Sequence, residues 1–283
     1  MKILFTALII LLLTSCTSTP AQQTTAKLEA GYRYSPYGPT FNPGSEYWPD
    51  VGKQIAAKFE GARPAVIWIV GVISGEGTYL NFNCETTDPN ITCGYVDMNE
   101  ELLTAFDEQG YDVWLQVEAG NASMDELIDI VLNQYSHHPS VVGFGVDVEW
   151  YQSTKGPQGE PITDEVARDW VSAIRKHNSN YRLFLKHWDS AWMPPTVRDG
   201  IVFINDSQGF ESFDQMVDEF TEWGKTFAPA PVGFQYGYLA DKPWWKELQD
   251  PSKEIGQALI DNIPNTQSLF WVDFTIVEMF PPK

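Results

Sequence analysis

The sequence predicts an α/β fold, a single-domain (β/α)8 TIM barrel, on three observations. Eight segments rich in β-branched and aromatic residues recur along the chain, and helix-patterned segments lie between them. Polar side chains also collect at the carboxyl ends of the strand-like segments, where barrels of this kind hold their sites, while the amino ends stay mostly apolar. A doubly wound open sheet is the competing arrangement, but the chain carries no G-x-G-x-x-G and no phosphate loop.

The first strand-like segment is Ala30–Tyr34 (A-G-Y-R-Y). A helix-like stretch, Trp48–Glu60, leads to the second strand, Ala65–Ile73 (A-V-I-W-I-V-G-V-I). Asn99–Gln109 places Leu102, Leu103 and Phe106 at helical spacing and stops at Gly110, ahead of the third strand, Asp112–Val117. Ser123–Tyr135 opens on a Ser cap candidate and repeats Met124, Leu127, Ile128, Val131 and Leu132. The fourth strand, Val141–Glu149, begins after Pro139. Thr163–His177 opens T-D-E-V, repeats Val166, Trp170, Val171 and Ile174, and precedes the fifth strand, Tyr181–His187. Gly200–Asn205, Pro231–Tyr238 and Ser268–Ile276 complete the strands, with helices at Phe213–Trp223 and Ile255–Ile263.

Residues 1–15 read as a signal peptide: a short charged start, an apolar run too short to span a bilayer, and a small-residue end. Leu13-Thr14-Ser15-Cys16 resembles a bacterial lipobox, in which the Cys is lipidated and becomes the new N-terminus; a plain secretory signal with an incidental Cys is the alternative. Residues 16–28 lack a core pattern and read as a lipidated tether, leaving 29–283 as the barrel. An exported lipoprotein is expected, at a cell surface or in the periplasm, touching a membrane through its anchor alone. In such a compartment Cys84 and Cys93, which bracket a turn-rich stretch, predict a disulfide; two free thiols are the alternative.

A formal charge of −20 argues against nucleic acid or an anionic lipid surface as partner. The chain's 11 Trp, 12 Tyr and 16 Phe suit a core and also suit stacking on sugars, so abundance alone does not decide between them. No zinc spacing such as H-E-x-x-H and no G-x-S-x-G occurs. His137-His138 precede the fourth strand and read as structural. No metal site and no cofactor are expected.

Val141 to Tyr151 (V-V-G-F-G-V-D-V-E-W-Y) organises the rest. Alternation puts Gly143, Gly145, Asp147 and Glu149 on one face and Phe144, Val146, Val148 and Trp150 on the other. Two acids at the end of a buried strand are costly unless they have a task. Close together, each raises the other's pKa, so one can stay protonated and give a proton to a leaving oxygen. Glu149, nearer the strand end, is the candidate general acid, and Asp147 the residue that holds the attacking group. A buried ion pair with Lys186 or Arg33, or a calcium site, are the other uses of such acids.

Gly143-Phe144-Gly145-Val146-Asp147-Val148-Glu149 resembles the fourth-strand signature D-G-x-D-x-D-x-E of family 18 glycoside hydrolases. The resemblance implies Glu149 as proton donor, Asp147 as the residue that orients a substrate N-acetyl group, and Trp271 as the floor of the central sugar subsite. Val142 and Gly145 stand where that signature has its first and middle Asp. V-D-V-E is also similar to the L-D-V-E of family 25 lysozymes, although Ala30–Gly38 offers no first-strand Asp. Both resemblances imply a glycan substrate with N-acetylated sugars, and in family 18 the substrate's own acetamide is the nucleophile.

Gln235 shares the face of Gly233 and is expected to point into the barrel; Tyr236 ends the same strand. Trp188 is a candidate stacking platform, and His187 a group that titrates in the cleft. Glu118, Asp206 and Asp273 are further acids at strand ends. Any of them could serve as second carboxylate in an ordinary two-acid glycosidase. The remaining alternative is a barrel that binds glycans without cutting them.

Overall fold

In the computed structural model, which describes residues 27–156 and 158–282, the elements run in the predicted alternation. They are β1 (Glu29–Tyr34), α1 (Tyr47–Ala56), β2 (Arg63–Ser74), β3 (Gly77–Leu80), β4 (Ile91–Cys93), α2 (Glu100–Gln109), β5 (Asp112–Val117), α3 (Met124–Tyr135) and β6 (Val141–Asp147). There follow α4 (Asp164–His177), β7 (Arg182–Lys186), β8 (Ile201–Asn205), α5 (Phe213–Phe227), β9 (Val232–Tyr236), α6 (Lys242–Trp245), α7 (Pro251–Asn262), β10 (Thr266–Val272) and α8 (Asp273–Met279). The signal peptide, Cys16 and all but the end of the tether lie outside the described residues. No helix among those described is long and apolar enough to cross a membrane.

Eight strands, β1, β2, β5, β6, β7, β8, β9 and β10, pair in parallel, and β1 pairs with both β2 and β10, so the sheet closes into a (β/α)8 barrel. β3 pairs antiparallel to the end of β2 and carries β4 beside it, a flap outside the barrel wall. Cys84 and Cys93 form the expected disulfide and pin the loop that leads into β4.

Alternation along each strand divides the apolar side chains in two. The large set, including Phe144, Val146, Leu183, Leu185, Phe203 and Leu269, packs outward against the helices. The small set, Ala65, Ile67, Trp114, Phe184, Val202, Ile204 and Phe270, fills the barrel interior and floors whatever lies above it. Helix starts follow their sequence signals: Ser123 and Thr163 accept from the backbone N–H groups of Glu126 and Val166.

Three predicted strands run too long, among them Pro231–Tyr238, since β9 stops at Tyr236 before the turn at Gly237. β6 stops at Asp147, and Val148–Trp150 form a 3-10 turn. β10 stops at Val272, and Asp273 opens α8. In both places β-branched and aromatic residues continue past the barrel rim, so propensity alone carries the strand on while tertiary packing bends the chain. The β3–β4 flap and the helices α6 and α8 have no counterpart in the sequence reading.

Candidate active site

The acids of the carboxyl rim meet around two cations. Lys186, inward-facing at the end of β7, places Nζ 2.8 Å from Asp147 Oδ2 and also binds Asp206 Oδ2, just past β8. All three side chains are buried. The ion pair that the sequence offered as an alternative use of Asp147 is therefore formed. Arg33, at the end of β1, lies 3.1 Å from Asp273 Oδ1 and rests on the Phe274 ring. Asp273 Oδ2 in turn accepts from Ser35 N–H at 2.6 Å and Ser35 Oγ–H at 3.0 Å. Burial pushes Asp273 up to about 6 against the pull of Arg33. It fastens β1 to α8.

Glu118, just past β5, is also occupied: Tyr37 Oη–H and Ile73 N–H (2.8 Å) both donate to its Oε2. Tyr37 is half exposed, so this hydroxyl lies across the open side of the site. Glu149 differs from all of these. It is half-buried, and it makes no hydrogen bond or ion pair among the described residues. Burial raises its pKa from 4.5; Lys186 opposes this, and Asp206 and Glu118 reinforce it. The same three groups act on Asp147, whose pKa burial also raises. The two acids thus share one electrostatic site, but neighbouring Asp147 is not what shifts Glu149. The 3-10 turn after Asp147 takes Glu149 off the strand's next inward rung.

Several inward-facing atoms have no hydrogen-bond partner among the described residues: Asp147 Oδ1, Asp206 Oδ1, both side-chain polar atoms of Gln116, and Gln235 Nε2. Each would cost on the order of 1–3 kcal/mol if it stayed unpaired. They form a polar layer above the apolar plug, suited to water or to a ligand's hydroxyl and amide groups. Gln235 points inward as alternation predicts, and its Oε1 accepts from Tyr238 Oη–H at 3.2 Å. Tyr238 is a residue the sequence reading missed. Gly237, at φ 89°, breaks the alternation and turns the following Tyr back toward Gln235. Tyr37 was missed as well, because nothing in Y-S-P-Y-G shows where its loop returns.

Three expected site residues lie elsewhere. Trp271 is fully buried on the outer face of β10, packed edge-on against Tyr236 and Trp245, with its indole N–H on Thr275 Oγ1 at 2.8 Å. Tyr236 faces outward beside it and reaches the Ser252 carbonyl. The inward neighbour on β10 is Phe270, so strand parity excludes Trp271 as a sugar floor. His187 is stacked on Trp192 and Trp188 (ring centroids 5.1 and 4.1 Å apart), accepts from Asp189 N–H, and faces the Gln158 carbonyl. Burial lowers its pKa, which keeps it neutral and structural. Trp188 itself remains half-buried at the rim.

Gly145, where the family signature has its middle Asp, is closed to any side chain. A Cβ there would lie 2.0 Å from Phe184 Cζ. At Gly143 a Cβ would strike the Arg182 carbonyl and the Trp114 ring, so both glycines are required by inward neighbours.

A hollow of about 980 Å³ lies at the opposite, amino-terminal rim, bordered by Arg175, Arg182 and Arg198. Its arginines are engaged with Asp199, Glu29 and the Pro194 and Pro195 carbonyls, and it holds none of the rim acids. Chemistry in this fold belongs to the carboxyl face.

No protein-family model matches the sequence, and no curated protein does. In fold the chain is similar to a Bacteroides thetaiotaomicron protein provisionally named an alpha-L-fucosidase, at 12% identity over 100% of both chains with a TM-score of 0.54. It is also similar to the Bacteroides uniformis beta-glucuronidase, at 12% identity over 87% of this chain and 30% of that one, TM-score 0.51. A third is the beta-1,4-D-mannanase of Cryptopygus antarcticus, at 13% identity over 87% and 84% of the two chains, TM-score 0.50. At such identities the likeness is one of barrel architecture.

Proposed function

We propose that this chain is a glycoside hydrolase that cleaves a polysaccharide, with Glu149 as general acid. One observation carries the reading: of the rim acids, Glu149 alone is without a hydrogen bond or ion pair among the described residues, is open to solvent on one side, and has its pKa raised by burial. A carboxyl so placed holds its proton to higher pH than an ordinary glutamate and can deliver it to a glycosidic oxygen. The names of the proteins that share the barrel, a fucosidase, a glucuronidase and a mannanase, agree with this class.

Asp147 enters as the residue that orients the sugar. Lys186 holds Oδ2, and Oδ1 is left as a buried acceptor for an acetamide N–H, which supports a substrate containing N-acetylhexosamine. Asp206 Oδ1 is equally unpartnered, and this favours one second reading, in which Asp206 is the other carboxylate of a two-acid mechanism. With Gly145 closed by Phe184, no middle Asp relays charge to Asp147, and Lys186 takes the place of that partner. The proposal includes export and lipidation at Cys16, supported by the L-T-S-C sequence at the end of the apolar run.

The test is hydrolysis of chitin oligomers, peptidoglycan and neutral glucans by the wild type beside Glu149→Gln. Cleavage confined to N-acetylated members, and lost in the variant, supports the full reading. Cleavage of neutral glucans that depends on Asp206 selects the two-acid reading. Binding without cleavage in both proteins leaves a glycan-binding barrel. Mass spectrometry of the exported protein, with Cys16→Ala as control, tests the lipid anchor.

A further inference from the structure

The fold assembles a second cluster at the amino end of β6, far along that strand from Asp147. His137 and His138 occupy the turn between α3 and β6, and Glu100 projects from the first turn of α2. Glu100 Oε1 lies 3.3 Å from His137 Nε2, and Glu100 Oε2 lies 3.3 Å from His138 Nε2. One donor atom from each of the three residues lies within 4.8 Å of the others.

His138 shows how the cluster is set. Its Nδ1 is 2.6 Å from Asp107 Oδ2, and Asp107 Oδ1 accepts from Ser140 N–H at 2.9 Å. A carboxylate at that distance accepts from Nδ1–H, which in the neutral ring leaves Nε2 with its lone pair. That lone pair is aimed at a second carboxylate, Glu100. Two acceptors facing each other need a cation between them. The 3.3 Å separations are also long for charge-assisted hydrogen bonds, which run at about 2.7–2.9 Å. Each is close to the roughly 3.3 Å edge of a tetrahedron whose centre bonds nitrogen and oxygen at about 2.0–2.1 Å, the two contacts ending on different oxygens of the one Glu100 carboxylate.

We propose that Glu100, His137 and His138 form a binding site for a divalent transition ion of the zinc class, with Asp107 fixing the His138 ring. Imidazole with carboxylate suits such ions, whereas Mg²⁺ and Ca²⁺ favour all-oxygen sets. The carboxylate–histidine–metal arrangement is the usual support for a ligating His. His138 is 3% exposed, so its Nε2 is held by packing, while Glu100 and His137 are exposed and close over the ion from solvent. The site ties the flank of α2 to the turn that feeds β6. The sequence hides it: 37 residues separate Glu100 from His137, which fits no short zinc spacing.

The experiment uses the chain freed of metal by chelator, titrated with ZnCl2 and separately with CoCl2. Bound metal is counted after gel filtration, and the visible spectrum of the Co²⁺ form is recorded. The expected result is one equivalent of Zn²⁺ per chain, a tetrahedral Co²⁺ spectrum and a raised melting temperature. Glu100→Gln and His137→Gln, both at exposed positions, should each weaken uptake at least tenfold with the circular dichroism unchanged. Asp107→Asn should weaken it about 10–100-fold. Uptake below about a tenth of an equivalent would mean that a proton alone bridges Glu100 and His138, and would overturn the proposal. Zn²⁺ uptake unchanged in both exposed variants, or equal saturation by CaCl2, would overturn it too.

Discussion

Lys186 Nζ lies 2.8 Å from Asp147 Oδ2 in a buried pair, and it also serves Asp206. This one contact separates the two acids of the D-V-E triplet. Asp147 is neutralised from below and fixed in place. Glu149, two residues on and past the end of the strand, has no such partner. The acid at the strand's last rung is held by a cation, and the acid on the turn makes no hydrogen bond or ion pair among the described residues.

Replacing Glu149 by Gln removes the exchangeable proton at nearly constant shape. Turnover should fall by roughly 10²–10⁴, the usual worth of a general acid, with substrate binding and melting temperature close to wild type. Steady-state kinetics beside binding by calorimetry checks this. A variant that kept its turnover would remove Glu149 from the mechanism.

The pH profile follows from the direction of the shift. Burial raises Glu149 above 4.5, so its acid form persists to higher pH than in an ordinary glutamate. Activity that needs the proton is present below the raised pKa and declines as pH rises through it. The descending limb of kcat/KM, which reports the free enzyme, should therefore lie above that of an ordinary glutamate, and Lys186→Met should move it higher still, because Lys186 opposes the shift.

The same geometry marks what the sequence could show. Period-2 parity along β6 placed Gly143, Gly145 and Asp147 inside, and parity along β9 placed Gln235 inside; both are local properties. Trp271 failed because its place in the family likeness was followed rather than its parity against Phe270. Tyr37 on Glu118, 81 residues apart, and Glu100 on His138, 38 apart, are contacts that only tertiary packing creates. Lys186 was legible as a possible partner for Asp147, but its sharing with Asp206 was not.

Lys186→Met leaves two buried carboxylates facing each other without a cation. Breaking a buried pair from one side costs about 3–5 kcal/mol, which urea unfolding would register. Asp147 is already raised by burial against the pull of Lys186, and losing the cation raises it further. A carboxyl whose folded pKa exceeds its unfolded value contributes stability at low pH and loses it as pH rises through the folded value. Wild-type Asp147 is raised to about 8, so the variant's deficit should grow as pH rises from about 7 to about 9. A deficit that shrank over that range would contradict the pairing.

Gly145→Ala tests whether position 145 can hold a side chain. The new Cβ would fall 2.0 Å from Phe184 Cζ, on a ring wedged in the barrel plug beside Trp114. Overpacking of this kind costs about 1–3 kcal/mol. Phe184→Ala alone should cost about 3–5 kcal/mol through the cavity it leaves. Because the two positions compete for one space, the double variant should be more stable than the sum of the single losses implies, with a coupling of at least about 0.5 kcal/mol. Additive losses in urea unfolding would mean that Phe184 is not what closes this position.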